Sequence, residues 1–538
     1  MLPAAPAAAR TDEPAAMRTY VQARAAATEG ALAEASRSYA AALAAAPDNR
    51  ILASSALGHA IAAGDRALAV AAARMLESTG EATPEVRLTL LVEAVRAGQW
   101  RAAEAQVERI SADRAFAFMA PVLRAWVAQG SRRGDPIAIL DAIPGDSPAQ
   151  GYVPEARALL QLVRRGQDTA AEYAAFADES GPRAQRLRIA GAALLARRDG
   201  RREALALLAG PGEALGRARA AVEARQALPG AIATPAEGIA EFLVRLALDL
   251  NSQEVRPLAL SFTRLAGFLA PDNSEIWLVA AELLRDLERP QAALAALASI
   301  PPSDPFIGSA RDLRMNLLVA NEQNDMAVRE AQAATAASGA RVTDWTRLGD
   351  LYVELDRYRE AAEAYERAIA LAGAGSSDNP LWALWLIRGG ALERAGDWPA
   401  GKAALERAHA LAPEQPLVLN YLGYAQLERR ENIAEAMRLV SEAHRLAPEN
   451  ASITDSLGWG YYLTGDLPRA IELLERAAQG EPADTTINEH LGDAYYRAGR
   501  RIEARFAWKA ALVYAEPREA ERLRAKIEAG LTPQLAAR

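Results

Sequence analysis

The chain has 538 residues, 51% of them hydrophobic and 6% aromatic, with a formal net charge of −8 and no cysteine. This length exceeds what one hydrophobic core supports, so the chain must form several domains or an open-ended repeat array, and no run of about 18 apolar residues predicts a transmembrane segment. The missing cysteine excludes disulfides, thiolate metal sites and cysteine nucleophiles from these residues, and the acidic balance without a Lys/Arg cluster argues against nucleic-acid binding.

The first segment in chain order is a short leader. Residues 1–10 read MLPAAPAAAR, which is either the small-residue end of a signal peptide or a disordered Ala/Pro stretch. We predict residues 1–16 as this leader and residues 17–209 as N-terminal helical repeats with a degenerate pattern. Residues of repeat-like spacing in that range are Ala23, Ala35, Tyr39, Ala42, Pro47, Leu90, Ala94, Gly98, Ala103, Val107, Gly191, Leu195, Ala204 and Leu208.

The middle of the chain contains a predicted seam. Residues 210–238 include several glycines and prolines, which interrupt helices, so we place a boundary between two halves there. Residues 239–340 resume the pattern as central repeats. Their marker residues are Trp277, Ala280, Ala281, Leu284, Ala293, Leu297 and Pro305. The repeat register stays open between about residues 111 and 270.

The clearest pattern lies in residues 341–515. A glycine recurs at Gly349, Gly389, Gly423, Gly458 and Gly492, with spacings of 40, 34, 35 and 34 residues. The longer first spacing is explained by an inserted turn-forming loop at residues 373–380. Glycine at this position, with a small residue twelve positions later, lets two helices approach closely while large residues fill the space beside them. The pattern therefore predicts a series of helix hairpins.

The period and its fixed positions resemble the tetratricopeptide repeat. One copy has the marker residues Trp345, Leu348, Gly349, Tyr352, Ala361, Tyr365 and Ala368. The resemblance implies an all-α fold, a right-handed superhelical solenoid of stacked hairpins, because one hairpin cannot bury its apolar face alone. We predict that residues 516–538 form a polar capping helix and tail that cover the last hairpin.

One segment is similar to part of a phosphate-binding loop. Gly396, Gly401 and Lys402 match G-x-x-x-x-G-K. Ala403 supplies no hydroxyl for Mg²⁺, however, and no predicted strand precedes the segment. None of the four histidines lies three or four residues from another, the spacing of a helical metal site, and no Gly-x-Ser-x-Gly elbow is present. We therefore predict no catalytic residues, no cofactor and no metal.

A protein-binding groove is the function that such a solenoid offers. Helix A residues at positions 2, 5, 6, 9, 12 and 13 of each repeat are expected to face the concave side, with an aromatic beside a polar residue. The predicted partner-binding residues are Asn420, Tyr421, Tyr424, Asp455, Trp459, Tyr462, Glu489, His490, Asp493 and Tyr496. Such a wall favours a basic or neutral apolar protein segment rather than nucleic acid or a small-molecule substrate. Whether the groove or the convex face binds is left open.

The C-terminal half resembles a narrower family, the long envelope tetratricopeptide-repeat proteins of proteobacteria. The resemblance rests on RGGALERAGDW at 388–398, LNYLGY at 419–424, TDSLGWGYY at 454–462 and INEHLGDAYY at 487–496. That family includes a lipoprotein adaptor of a carboxy-terminal processing protease. The resemblance implies a non-catalytic, periplasmic or envelope-associated scaffold that recruits a protease or a cell-wall enzyme. The sequence departs from the family in lacking a lipidation cysteine and a complete signal peptide.

Two other functions are compatible with the sequence. One is a cytoplasmic assembly or regulatory scaffold built on the same repeats. The more remote one is an enzyme whose helical catalytic domain lies in the degenerate N-terminal half. A cluster of His, Asp and Glu side chains in a pocket of that half would favour the enzyme.

Overall fold

The computed structural model describes residues 13–113, 115–179, 181–337, 339–373, 380–532 and 535. Their regular secondary structure is entirely helical, and no strand occurs among them. The chain divides into two compact units, Met1–Gln323 and Asn324–Arg538. Among the same residues, no helix combines the length and the apolar character that crossing a membrane requires.

The first unit contains eighteen α-helices within its described residues. They are α1 Glu13–Thr28, α2 Leu32–Ala45, α3 Arg50–Ala63, α4 Arg66–Ser78, α5 Pro84–Arg96, α6 Trp100–Ser111, α7 Ala120–Ser131, α8 Pro136–Asp141, α9 Val153–Arg165, α10 Ala170–Glu179, α11 Ala184–Arg197, α12 Arg201–Leu207, α13 Glu213–Glu223, α14 Pro235–Ser252, α15 Arg256–Leu269, α16 Ser274–Asp286, α17 Pro290–Leu297 and α18 Ile307–Ala320. Short 3₁₀ helices occupy Ala117–Met119, Pro148–Tyr152, Gly166–Thr169 and Gly181–Arg183.

The second unit is more regular. Its helices are α19 Asn324–Ala336, α20 Val342–Glu354, α21 Tyr358–Ala372, α22 Leu381–Arg394, α23 Trp398–Leu411, α24 Pro416–Glu428, α25 Ile433–Leu446, α26 Ala451–Thr464, α27 Leu467–Gly480, α28 Thr485–Arg497, α29 Arg501–Tyr514 and α30 Pro517–Ala529. Helices α20 to α29 form five antiparallel hairpins, each with a first helix A and a second helix B.

Local chemistry sets where these helices begin and end. At the start of α26, the side chain of Asn450 accepts a hydrogen bond from the backbone N–H of Ile453 at 2.9 Å. Asp484 caps α28 in the same way through Ile487 at 2.8 Å. Gly465 ends α26 with a φ of 92°, a left-handed conformation that glycine adopts without steric cost. Helices α26 and α28 therefore begin at capping residues that are visible in the sequence.

The recurring glycines lie where the two helices of a hairpin meet. A Cβ atom added to Gly389 would lie 2.7 Å from the Leu405 side chain, and one on Gly458 would lie 2.9 Å from Leu474. A Cβ on Gly423 would lie 3.0 Å from the carbonyl oxygen of Ala436, which cannot move aside cheaply. The close approach predicted for this position is confirmed.

The predicted seam at 210–238 is wrong as a boundary, since it lies inside the first unit. Its non-helical part is packed into the core because Leu228 and Ile232 are buried. Arg186 Nη1 also donates a hydrogen bond to the carbonyl oxygen of Gly230 at 2.7 Å. Glycine and proline residues interrupt the helices in this segment. The segment nevertheless packs into the core of the first unit and does not separate two units. The division falls instead after Gln323, inside the predicted central repeats.

Helix α1 begins the described part of the chain, and helix α30 lies near its end. Residues 1–12 of the predicted leader, and residues 374–379 of the predicted inserted loop, lie outside the described residues. Residues 13–16 already belong to α1 and Ala16 is buried, so the leader prediction is wrong for them. At the other end, the predicted polar helix is present as α30. It buries Leu523 against α29.

Candidate functional site

The predicted groove residues lie on three helices of the second unit: α24, α26 and α28. We call their inward-facing surface the A-helix wall, consisting of Asn420, Tyr421, Tyr424, Asp455, Trp459, Tyr462, Glu489, His490, Asp493 and Tyr496. Helix α26 contacts both α24 and α28, so the three helices form a continuous layer. The structure thus brings these residues together on neighbouring helices.

Most of the A-helix wall is inaccessible. Six of its residues are buried, namely Asp455, Trp459, Tyr462, Glu489, His490 and Asp493. The prediction that these six form an exposed binding surface is wrong, because they bond to one another and to helix α30. The four partly exposed residues are Asn420, Tyr421, Tyr424 and Tyr496. Binding by those four stays a prediction.

A stack of three rings fills the centre of the wall. The Trp459 ring lies 4.0 Å from the His490 ring and 4.4 Å from the Tyr462 ring, nearly parallel to both. Its indole N–H donates to Glu428 Oε1 at 2.5 Å. With its hydrogen-bond donor satisfied and its side chain 1% exposed, Trp459 is a core residue that joins α24, α26 and α28.

His490 pairs with a buried carboxylate beside this stack. Its Nδ1 lies 3.0 Å from both carboxylate oxygens of Asp455. Burial lowers the pKa of His490, but the carboxylates of Asp455, Glu428 and Asp493 together more than offset this, and the net effect is a pKa raised above the ordinary histidine value. The His490 ring is fully buried, and its Nε2 has no hydrogen-bond partner among the described residues. The pair binds α26 to α28.

Helix α30 closes the far end of the wall. Lys526, which is fully buried, donates to Glu489 Oε1 at 2.6 Å and to Asp493 Oδ1 at 2.8 Å. Arg522 adds a second pair to Glu489 at 2.5 Å. Although burial alone would raise the pKa of Glu489, Arg522 and Lys526 together lower it. Glu489 and Asp493 therefore form ion pairs with the capping helix. Their basic partners, Arg522 and Lys526, were not identified from the sequence.

A second buried charged cluster lies in the first unit. Arg183 Nη1 pairs with Glu155 at 2.5 Å and Arg183 Nη2 with Glu275 at 3.1 Å. Arg186 Nη2 pairs with Glu241 at 3.0 Å, and Arg183 also contacts Glu241. Each carboxylate faces a guanidinium, so the cluster is a structural tie that joins α9, α11, α14, α16 and the 3₁₀ helix Gly181–Arg183.

The phosphate-loop similarity has a packing explanation. Lys402 Nζ is paired with Glu431 at 2.7 Å. A Cβ on Gly401 would lie 3.0 Å from the carbonyl oxygen of Gly389, so this glycine allows α22 and α23 to touch. Within the described ranges, no group of three or more His, Cys, Asp or Glu side chains is arranged to hold a metal ion.

An exposed apolar face lies on helix α29, which the sequence analysis did not single out. We call this α29 face Ile502, Phe506 and Val513, whose side chains are 71%, 67% and 71% exposed. The opposite side of the same helix buries Ala504, Trp508 and Ala511, so the helix is apolar on two sides. A surface stripe of large apolar side chains is unusual for a face that meets only water.

The two preceding hairpins carry charged or polar residues at the positions equivalent to Phe506 and Val513. Thirty-four residues before Phe506 lies Glu472 on α27, and thirty-four before that lies Arg438 on α25; both are exposed. Gln479 and Arg445 stand at the positions equivalent to Val513. At these two positions, large apolar side chains therefore distinguish the last hairpin from the two before it. Comparing outer positions between repeats would have found it in the sequence.

The hairpins, their glycine contacts and their period define an all-α tetratricopeptide-repeat fold. The family model described as "Tetratricopeptide repeat" matches residues 342–374, which are α20 and α21. Proteins of this fold are generally protein–protein interaction scaffolds. No curated protein matches the chain significantly.

Solved structures with helical repeats are similar over part of the chain. MamA from Desulfovibrio magneticus RS-1 is 17% identical, covering 33% of this chain and 97% of that one with a TM-score of 0.27. A thermophilic TPR protein from Thermus thermophilus is 22% identical, covering 35% and 98% with a TM-score of 0.31. A tetratricopeptide repeat protein from Parabacteroides merdae is 12% identical, covering 48% and 99% with a TM-score of 0.39. All three TM-scores lie below 0.5, so the fold assignment rests on the hairpins themselves.

Proposed function

We propose that the chain is a non-catalytic scaffold that binds a partner protein through the α29 face. The observation that supports this is the exposure of Ile502, Phe506 and Val513, together with the charged or polar residues that the two preceding repeats carry at the positions of Phe506 and Val513. Burying such side chains against a partner stabilises a complex by about 25 cal/mol per Å² of apolar surface removed from water. Large apolar anchors of this kind dominate the energetics of protein interfaces.

The charges around this face define the chemistry of the partner. Arg501, Arg505 and Lys509 are exposed on the same helix, and Lys509 Nζ lies 5.9 Å from the centre of the Phe506 ring. Glu503 is the acidic residue among them. The face therefore favours an apolar partner segment flanked by acidic residues, by electrostatic complementarity. This differs from the basic segment expected for the A-helix wall, whose acidic residues are already paired.

The accessible remainder of the A-helix wall is a second candidate surface for the same function. Tyr421 is partly exposed, and its hydroxyl donates to Glu393 at 3.3 Å. Burial raises the pKa of Tyr421 to about 12, so the hydroxyl stays protonated at neutral pH. With Asn420 and Tyr424 it presents aromatic and polar groups that a partner segment could contact.

The partner class follows from the family resemblance of residues 388–496. We propose that the scaffold acts in the bacterial envelope, where it recruits a processing protease or a cell-wall enzyme. The supporting observation is the set of four sequence strings in the A helices, not the α29 face. A cytoplasmic assembly scaffold is the alternative, and it would use the same face.

Site-specific photo-crosslinking tests the proposal in the native host. The crosslinker p-benzoylphenylalanine would replace Phe506, and in a matched control it would replace Glu472, the equivalent position one repeat earlier. We expect a crosslinked partner only from position 506, and its loss when Ile502→Ser and Val513→Ser are added. Mass spectrometry then identifies the partner and its compartment. Equal products from both positions, or a crosslink only to a second copy of the chain, would refute partner binding by this face.

A further inference from the structure

A cavity of about 490 Å³ lies within the first unit. Its walls come from opposite ends of that unit's sequence: the start of α2, the end of α3, and helices α15, α16 and α17. Helix α15 contacts both α3 and α5, which brings these segments together. A volume of this size is within the range of small-ligand sites in proteins.

A buried arginine without a counter-ion lines the cavity. Arg264 on α15 is 7% exposed, and its Nε donates to the carbonyl oxygen of Ala62 at 3.1 Å. No carboxylate of the described residues lies within ion-pair distance of it, and neither Nη group has a hydrogen-bond acceptor there. Burial lowers the pKa of Arg264 to about 10, and no acidic group counteracts this. Elsewhere in this unit, the buried guanidiniums of Arg183 and Arg186 are paired with glutamates.

The start of helix α2 is a second cationic feature of the same cavity. Ala31 occupies the N-cap position of this fourteen-residue helix and provides no side-chain cap. The backbone N–H of Ala33 has no acceptor among the described residues, and Ala33 lines the cavity. The positive end of a helix dipole with an unbonded N–H attracts anions. The lining residue Glu34 is exposed and forms no ion pair with Arg264, while Arg37 lies one turn further along the helix.

The remaining wall combines apolar residues with the polar residues Gln291 and Ser299. Trp277 donates its indole N–H to the carbonyl oxygen of Pro271 at 2.8 Å, so its polar atom is already bonded. Ala292, Ala295 and Ala296 of α17 lie beside it along the cavity. A ligand here would need one anionic group for Arg264 and an apolar body for Trp277 and the alanines.

We propose that this cavity binds a carboxylate attached to a short apolar group. The planar guanidinium fork of Arg264 fits the two oxygens of a carboxylate, and the N-terminal end of α2 lines the same cavity. One buried cation suits a monoanion better than a phosphate of higher charge. The carboxylate could come from a peptide C-terminus or from a small organic acid, and both share this chemistry. The site lies in the first unit and is independent of the α29 face.

The alternative to ligand binding is that Arg264 only holds helix α3 in place. Its Nε meets the last turn of that helix, where a cation is favourable. That role accounts for Nε and leaves both Nη groups without acceptors. A purely structural role predicts that Arg264→Met changes stability and nothing else.

Calorimetric titration of the full chain distinguishes the two roles. The probes are an N-acetylated Ala-Ala-Leu tripeptide with a free C-terminus, the same peptide amidated, and hexanoate. We expect the free acid to bind at least tenfold more tightly than the amide, and Arg264→Met to weaken it at least tenfold. Arg101→Met, which removes an exposed arginine on α6, should leave binding unchanged.

A second variant keeps the test valid if Arg264→Met does not fold. Ala295→Phe fills the cavity from an exposed position and leaves Arg264 in place, so it too should abolish binding. Binding of the tripeptide but not hexanoate would identify a peptide C-terminus as the ligand, and the reverse would identify a small acid. Equal affinity for acid and amide, no binding of any probe, or unchanged binding in a folded Arg264→Met variant would overturn the proposal.

Discussion

The hairpins of the second unit and the irregular part of the first unit are held together by different kinds of contact. In the hairpins, each glycine meets a side chain only about sixteen residues further on, as Gly458 meets Leu474. In the first unit, Arg183 reaches Glu241 and Glu275, which lie 58 and 92 residues away. Contacts within a hairpin recur in every repeat, so the sequence shows them as a regular spacing of residues. Buried ion pairs between distant helices do not recur and leave no regular spacing in the sequence.

Removing Glu241 should give the largest loss of stability. Glu241→Leu leaves Arg183 and Arg186 with fewer counter-charges in a buried site, which typically costs about 3–5 kcal/mol. Urea unfolding followed by circular dichroism would measure this. Glu223→Leu, at an exposed position on α13, should change stability by no more than about 0.5 kcal/mol. If the two variants unfold at the same urea concentration, the ionic tie does not stabilise the first unit.

Bulk at a hairpin glycine should have the next largest effect. Gly458→Leu places atoms where Leu474 and the carbonyl oxygen of Ala470 already lie, so the hairpin must open at a cost of about 1–3 kcal/mol. Gly58→Leu on α3 is the matched control, because no atom lies within 4 Å of its added Cβ. There the loss of backbone freedom should be slightly stabilising, by about 0.5–1 kcal/mol. Similar thermal melting of both variants would contradict the close-approach explanation.

The histidines should make the second unit sensitive to pH in opposite directions. Because the folded-state pKa of His490 is raised, its contribution is complete below the unfolded-state pKa and is lost as pH rises through the folded-state value. Burial lowers the pKa of His444, so its contribution is present at higher pH and is lost as pH falls. Unfolding free energies measured between about pH 5 and pH 9 should therefore differ between His490→Gln and His444→Gln. Identical pH profiles for the two variants and the wild type would contradict the Asp455–His490 pairing.

The smallest expected effect on stability belongs to the α29 face. Phe506→Ser changes an exposed side chain and should alter unfolding free energy by no more than about 0.5 kcal/mol. Its consequence should be a loss of co-purification of the partner that crosslinking identifies, while Glu472→Ser on the preceding repeat should affect neither stability nor binding. A large drop in melting temperature for Phe506→Ser would mean that the ring is part of the core.

The candidate site was only partly predictable from the sequence. The period correctly placed the wall residues on neighbouring helices, and Trp459 and His490 do lie next to each other. Their burial could not be inferred, because repeat positions specify which side of a helix a residue occupies, not what covers it. Lys526 is the clearest example: a polar-looking terminal helix inserts this amine between Glu489 and Asp493. Counter-charges for acidic wall positions have to be sought in the tertiary structure.

By itself the sequence determined the helical class, the hairpin period in residues 341–515, the helix caps and the polar terminal helix. These follow from contacts within one or two turns or one repeat, which depend on residue type at fixed spacing. Only the tertiary structure decided that 210–238 belongs to one core, that six wall residues are buried, and that Arg264 lies unpaired beside a cavity. These features depend on which distant helices pack together. A local sequence pattern does not show which residues such packing buries or which charges it brings into contact.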